Sequence, residues 1–173
     1  QSDYENMTFA AWIKTSTPHN KPGVIISKPR AAGLTGLTLR LNGLPQNLNS
    51  FVQNSAQVSL NNGVATYNTV PVDLNATDGQ WHHLVGTVDA GGSRIRVYVD
   101  GALVNEVAFT PAVTPSAAPI TIGRDAGAGP DFHYFTGAID DLRIYGAALT
   151  PLEVAQLYIA ESTGSTVAKA AKT

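Results

Sequence analysis

The sequence predicts an all-β chain closed by one short C-terminal helix, and three observations carry that expectation. Charged residues are sparse, at 14% of 173 residues, while 16 glycines and 10 prolines punctuate short runs rich in β-branched and aromatic side chains. Along several of those runs apolar and polar residues alternate with period two, the pattern of half-buried strands. A helical start signal stands in one place only, near the end. A chain of this length is one domain by the usual prior and long enough to bury a two-layer core.

Residues 1–6 are polar and carry no pattern. Residues 7–14 (MTFAAWIK) read as the first strand, with Phe9, Ala11 and Ile13 on one face and Thr8, Ala10, Trp12 and Lys14 on the other. Trp12 is expected to pack, not to serve as a ligand platform. Residues 15–23 hold Pro18, His19, Asn20, Lys21 and Pro22, which is loop chemistry. Residues 24–27, 36–41 and 49–53 read as short strands. Asparagine and glutamine are dense between residues 42 and 72, and Asn61-Asn62-Gly63 is a hairpin signal, so this region is expected to form exposed hairpins.

The next strand spans residues 81–89, and Gly91-Gly92 turns it. Ile95, Val97 and Val99 then face one layer, with Arg94, Arg96 and Tyr98 on the other, a face that suits either solvent or a polar ligand. Asp100-Gly101 predicts a tight turn in left-handed backbone, returning through Leu103, Asn105 and Val107. A Pro- and Ala-rich crossing leads to a strand at residues 120–123, a glycine-rich loop at 124–134 and a last strand at 135–145. Thr150 then suits a helix N-cap, Pro151 the first helical position and Glu153 the reciprocal carboxylate of a capping box. Leu149 is placed to pack on Val154, and Val154, Leu157 and Tyr158 share a helical face. Residues 161–173 read as a disordered tail or linker behind a domain at 1–160.

Composition removes several function classes. A formal net charge of −2 leaves no basic footprint for nucleic acid or an anionic membrane surface. Without cysteine there is no disulfide framework, thiol nucleophile or thiolate metal site, a composition that fits many bacterial secreted proteins. No apolar run approaches the roughly 18 residues of a membrane span. His82 and His83 are adjacent on a strand and point to opposite faces, so they do not chelate one ion together. No Gly-x-Ser-x-Gly turn appears, and Asp140 and Asp141 cannot form a glycosidase pair from opposite faces of one strand. Catalysis therefore has no positive support.

The loop RDAGAGPDFHY is the candidate for ligand recognition. Its glycines allow close backbone approach, Arg124, Asp125, Asp131 and His133 supply hydrogen-bonding groups, and Phe132 and Tyr134 supply flat apolar faces. Sugars need both, since their C–H faces stack on rings while their hydroxyls need paired donors and acceptors. The alternative is that Phe132 and Tyr134 pin a long loop onto the core. Asp140 shares strand parity with Leu142 and Ile144, so its carboxylate is expected to face inward and to require a partner.

Phe135, Gly137, Ile139, Asp140, Asp141, Leu142, Arg143, Ile144, Tyr145, Ala148, Leu149 and Thr150 together resemble the closing signature of LamG-like jelly-roll modules, of the laminin-G/pentraxin-like, concanavalin A-like superfamily. DGQWHHLV at residues 78–85, VYVDG at 97–101 and MTFAAWIK at 7–14 are similar to the same family's motifs, in the same order. The resemblance implies a two-sheet antiparallel jelly-roll β-sandwich. It further implies a non-catalytic extracellular or cell-surface module, an accessory domain of a larger protein that binds a glycan or an extracellular protein. A structural calcium ion belongs to many such modules, and by that resemblance Asp140, Asp3 and Asp141 are nominated as ligands. The family's earlier opening strand is not evident here, with Ser2-Asp3-Tyr4 as its remnant. An edge left open in this way would be covered by a neighbouring segment, by the tail, or by self-association with another chain. The second reading of function is accordingly a protein-interaction or spacer module that pairs through a strand.

Overall fold

The computed structural model describes residues 6–16, 22–30, 34, 36–42, 52, 54–73, 75–112, 116–125 and 133–170. Among these, the first sheet holds β1 (Asn6–Lys14), β7 (Trp81–Asp89), β8 (Arg94–Val99), β9 (Ala102–Ala108) and β11 (Ala138–Tyr145). The second holds β2 (Gly23–Lys28), β3 (Leu37–Leu41), β4 (Ser55–Asn61), β5 (Thr66–Asn68), β6 (Val72–Asp73) and β10 (Thr121–Ile122). Strand order is β11-β1-β7-β8-β9 in one and β10-β2-β3-β4-β5 in the other, where β6 also pairs with β4; every pairing is antiparallel. The two layers form the expected all-β jelly-roll sandwich, with one helix, α1 (Pro151–Ala170), outside it.

Alternation builds the core. Phe9, Ala11 and Ile13 of β1, Leu84 and Val88 of β7, and Ile95, Val97 and Val99 of β8 face Leu37, Leu39 and Leu41 of β3 and Ala56, Val58 and Leu60 of β4. The layers come closest at Gly86, where an added Cβ would lie 2.6 Å from Val58 Cγ2. Only hydrogen fits there without moving a core side chain.

The turns follow the sequence. Asp100 and Gly101 both take left-handed backbone (φ 50° and 80°), joining β8 to β9 in the predicted tight hairpin. Gly63 (φ 91°) sits in the turn between β4 and β5. At the start of α1, Thr150 N–H donates to Glu153 Oε2 at 2.7 Å, and the Glu153 N–H points back at Thr150 Oγ1 at 3.3 Å, which is the predicted capping box. Val154 is buried with Leu149 packed beside it, as the staple requires.

Three expectations are corrected. The helix does not end at residue 160. It continues to Ala170, and Glu161 is buried, tied to Trp12 and Arg143, so residue 161 is an anchor instead of the start of a loose tail. Tyr98 does not present itself to solvent, because α1 lies over it, with Ala10, Val85 and Val154 in the same cluster. Asp140 does not share the inward face with Leu142. A bulge lies in β11, Asp141 takes left-handed backbone (φ 45°), and the register shifts so that Asp140 stands opposite outward-facing Trp12 while Ile139 and Leu142 pack on the core. One extra residue has turned the carboxylate to the other side.

The opening-strand question also changes form. β1 is interior, paired to β7 on one side and β11 on the other. Among the described residues the edges of this sheet are therefore β9 and β11.

Candidate functional site

The outward face of the second sheet is lined with hydrogen-bonding side chains. In register, Thr121 of β10 stands opposite Ser27 of β2, Ser27 opposite Thr38 of β3, Thr38 opposite Ser59 of β4, and Ser59 opposite Asn68 of β5. One polar row thus crosses five strands. Beside it runs a second row, Val24, Arg40 and Gln57, again in cross-strand register. The cause is local: LTLRL and SAQVSLN alternate aliphatic with polar residues, so burying Leu37, Leu39, Leu41, Ala56, Val58 and Leu60 forces Thr38, Arg40, Gln57 and Ser59 outward.

This outward face is not simply solvated. Ser27 and Gln57 are fully buried, and Thr38 is 2% exposed, with a buried Oγ1 that has no hydrogen-bond partner. Asn68 Oδ1 is in the same condition. A buried polar atom without a partner is costly and uncommon; the outward face of the first sheet holds two as well, the hydroxyls of Thr87 and Tyr98. Gln57 is held by its Nε2 donating to Thr69 O at 2.8 Å, which aims Oε1 at Arg40. The Arg40 Nε–H donates to that oxygen at 2.9 Å, and Nη2 donates to the same atom. Burial pushes the Arg40 guanidinium down to about 10, and the nearby Asp125 carboxylate acts in the opposite direction.

The predicted recognition loop abuts this face. Asp125, 2% exposed, accepts a hydrogen bond from Ser27 Oγ at 3.1 Å, which joins it to the polar row. Arg124 is exposed, and its carbonyl accepts from Thr121 Oγ1 at 2.9 Å. His133, in left-handed backbone (φ 45°), accepts the Val24 N–H on its carbonyl at 3.0 Å, and Tyr134 forms a parallel bridge with Val24. Tyr134 is 59% exposed. Four of the six nominated ligand residues thus lie along the β10–β2 margin of one face. Asp131 and Phe132 fall outside the described residues.

The nominated metal ligands are only partly described. Asp140 and Asp141 flank the β11 bulge, where Asp140 Oδ1 accepts the Asp141 N–H at 3.0 Å, and Asp141 is exposed; Asp3 lies outside the described residues. Calcium takes six to eight oxygens, more than these two side chains supply. Among the described residues no group of three or more His, Asp or Glu is gathered for a metal.

The two adjacent histidines do face opposite ways. His82 Nδ1 lies 2.9 Å from Asp100 Oδ2, and its Nε2 lies 3.2 Å from Asp78 Oδ1. Hydrogen bonding to Asp100, against the opposing effect of burial, raises the His82 pKa above its ordinary value. His83 is fully buried between Trp12 and Tyr158, ring centroids 5.2 and 6.0 Å away. The Trp12 indole N–H donates to Glu161 Oε2 at 2.9 Å, so Trp12 packs as expected.

Sequence reasoning missed Thr38, Arg40, Gln57 and Ser59 as site residues. The available signal was the alternation itself: an arginine and a glutamine on adjacent strands, at positions where a merely solvated face needs neither.

Known proteins place this geometry in context. The laminin-G model described as Concanavalin A-like lectin/glucanases superfamily matches residues 2–155. No curated protein sequence matches the chain. Among solved structures, a proposed carbohydrate binding protein from Bacteroides ovatus superimposes with a TM-score of 0.66 at 18% identity, over 88% of this chain and 40% of its own. A heptameric SAP-like pentraxin from Limulus polyphemus gives 0.64 at 17%, over 90% and 70%. Botulinum neurotoxin type C, whose cell entry is dependent upon interaction with two ganglioside molecules, gives 0.62 at 13%, over 92% and 36%. At these identities the likeness is one of fold, and the chain spans about two fifths of the first of these proteins.

Proposed function

The chain belongs to the Concanavalin A-like lectin/glucanases superfamily, and from that premise we propose that it is a non-catalytic, extracellular carbohydrate-binding module whose ligand lies on the outward face of the second sheet. The observation that carries this reading is the polar row Thr121, Ser27, Thr38, Ser59, Asn68, with the Thr38 hydroxyl buried and unpartnered. A polyhydroxylated ligand reaches this row at its half-buried members, Thr121, Ser59 and Asn68, and supplies donors and acceptors there, with Thr38 between them under cover. Tyr134, exposed at the margin, offers a ring on which a sugar face stacks. Proteins of the same fold described as binding carbohydrate or ganglioside support the class of ligand.

A binding role fits this face better than hydrolysis. Glycoside cleavage needs two carboxylates flanking the scissile bond, whereas the carboxylate placed here among the described side chains is Asp125, buried and holding Ser27. No helix among the described residues is long and apolar enough to cross a membrane.

The test is a glycan array probed with the wild-type chain, Tyr134→Ala and Thr38→Val. Signal on a defined set of glycans, weakened about tenfold or more by either substitution, is the expected result, consistent with about 1–3 kcal/mol for a stacked ring or a satisfied buried hydroxyl. An array without signal, or glycan turnover, contradicts the reading.

Structural calcium is a separate proposal, supported by the family resemblance and by the paired carboxylates at the β11 bulge. The unfolding temperature is expected to rise from chelator to added calcium, and Asp140→Ala to abolish the rise. An unshifted temperature removes calcium from the account.

A further inference from the structure

Resting on the proposed reading, we infer that the ligand is a carboxylated saccharide whose carboxylate docks on Arg40. Arg40 sits on β3, the middle strand of the second sheet, flanked in register by Val24 and Gln57. Its Nε and Nη2 donate to a single neutral acceptor, Gln57 Oε1. Among the described residues Nη1 has no hydrogen bond, and the guanidinium forms no ion pair. The amide therefore orients the planar fork without neutralising it. A sugar carboxylate has the two-oxygen geometry that a guanidinium matches, and a lysine would not serve equally.

The electrostatics point the same way. Asp125 attracts Arg40 through space, yet burial outweighs it and depresses the guanidinium pKa, so a counter-charge is still favourable. The segment that builds most of this sheet is basic in sequence: between residues 22 and 73 the charged side chains are Lys28, Arg30, Arg40 and Asp73, while exposed Arg124 and buried Asp125 stand at the β10 margin. Three cations to one carboxylate in that segment contrast with a chain whose formal net charge is −2.

Distance fits a sugar ring as well. Thr38 is two residues from Arg40 on the same face of β3, about 7 Å along the strand. A carboxylate on Arg40 sets its own ring, or the next one, over Thr38 and its register partner Ser59. The site so defined has a charge-recognising end at Arg40 and a hydroxyl-recognising row beside it.

The experiment is calorimetric titration of the full chain with oligogalacturonate against its methyl ester, and with sialyllactose against lactose. The pairs separate uronate from sialate sources of the carboxylate. At least one acid form is expected to bind about tenfold or more tighter than its neutral counterpart, to weaken with added salt, and to lose that margin in Arg40→Gln. Arg40→Lys is expected to restore only part of it. The wild-type comparison of acid with ester stands even where a variant folds poorly. Equal binding of acid and neutral forms, or an acid preference kept in folded Arg40→Gln, overturns this inference and leaves the carbohydrate reading intact. No binding to any saccharide on the array overturns both.

Discussion

The two outward faces of the sandwich are built on the same alternation and finished in opposite ways. Outside the first sheet, Ala10, Val85 and Tyr98 are sealed by Val154, Leu149 and Leu157 of the helix region, while Trp12, His83 and Tyr158 stack and Glu161 ties Trp12 to Arg143. Gly101 lets α1 settle onto the β8–β9 turn, since a Cβ there would lie 2.9 Å from Tyr158 Cδ1 in backbone at φ 80°. Farther along, Arg96 pairs with Asp89 and Glu106. Outside the second sheet there is no such helix among the described residues. Thr38 and Asn68 keep unpartnered oxygens, as Thr87 and Tyr98 do on the first face, and Arg40 donates only to an amide, with Asp125 acting on it through space. The face covered by the helix is structural, and the face without that cover, carrying a guanidinium hydrogen-bonded only to a neutral amide, is where a ligand is to be sought.

The comparison can be broken most sharply at Glu161. Glu161→Ala leaves the buried Trp12 N–H without its charged acceptor and is expected to lower stability by about 2–3 kcal/mol, read by urea unfolding, with saccharide affinity unchanged. Val154→Ala is expected to cost about 2 kcal/mol by the same measurement, because the side chain is fully buried beneath the helix. If either variant abolished binding while remaining folded, the first face would not be merely structural.

A smaller effect separates the faces by pH. His82, near Asp100 and Asp78, has a folded pKa raised above the ordinary 6.5. Its contribution to stability is fully present below 6.5 and is lost as pH rises through the folded value. Unfolding free energy is therefore expected to decline across that window, and His82→Asn to flatten the decline. Thr38→Val gives the smallest change in stability and the most diagnostic sign. Removing an unpartnered hydroxyl is expected to be neutral or stabilising by up to about 1 kcal/mol, while saccharide binding falls. A clear loss of stability would mean that the hydroxyl already has a partner.

Much of this was legible in the sequence, for reasons that can be located. β1, the Asp100-Gly101 hairpin and the Thr150 capping box are local devices, in which the residues that signal the element also build it. The opposite faces of His82 and His83 followed from strand parity alone. Parity failed at Asp140, because a bulge inserts one residue and no residue type there announces it; Asp141 is a tolerable but unremarked occupant of left-handed backbone. The length of α1 was missed because the serines, threonines and glycine that follow Glu161 carry weak helix signals, and the anchoring of Glu161 comes from Trp12, 149 positions away in sequence. The site was half legible. Arg124 to Tyr134 displays its chemistry in one loop, whereas Thr38, Arg40, Gln57 and Ser59 form a surface only when three strands are laid in register.

The central claim is that the second sheet, not the helix-covered one, holds the ligand. Amide chemical-shift mapping of the labelled chain, titrated with the oligosaccharide that gives the strongest array signal, tests it most directly. Shifts concentrated at Ser27, Thr38, Arg40, Gln57, Ser59 and Tyr134, with Trp12, His83 and Tyr158 still, are the predicted result. Shifts concentrated around Trp12, His83 and α1, with the polar row unmoved, would contradict it.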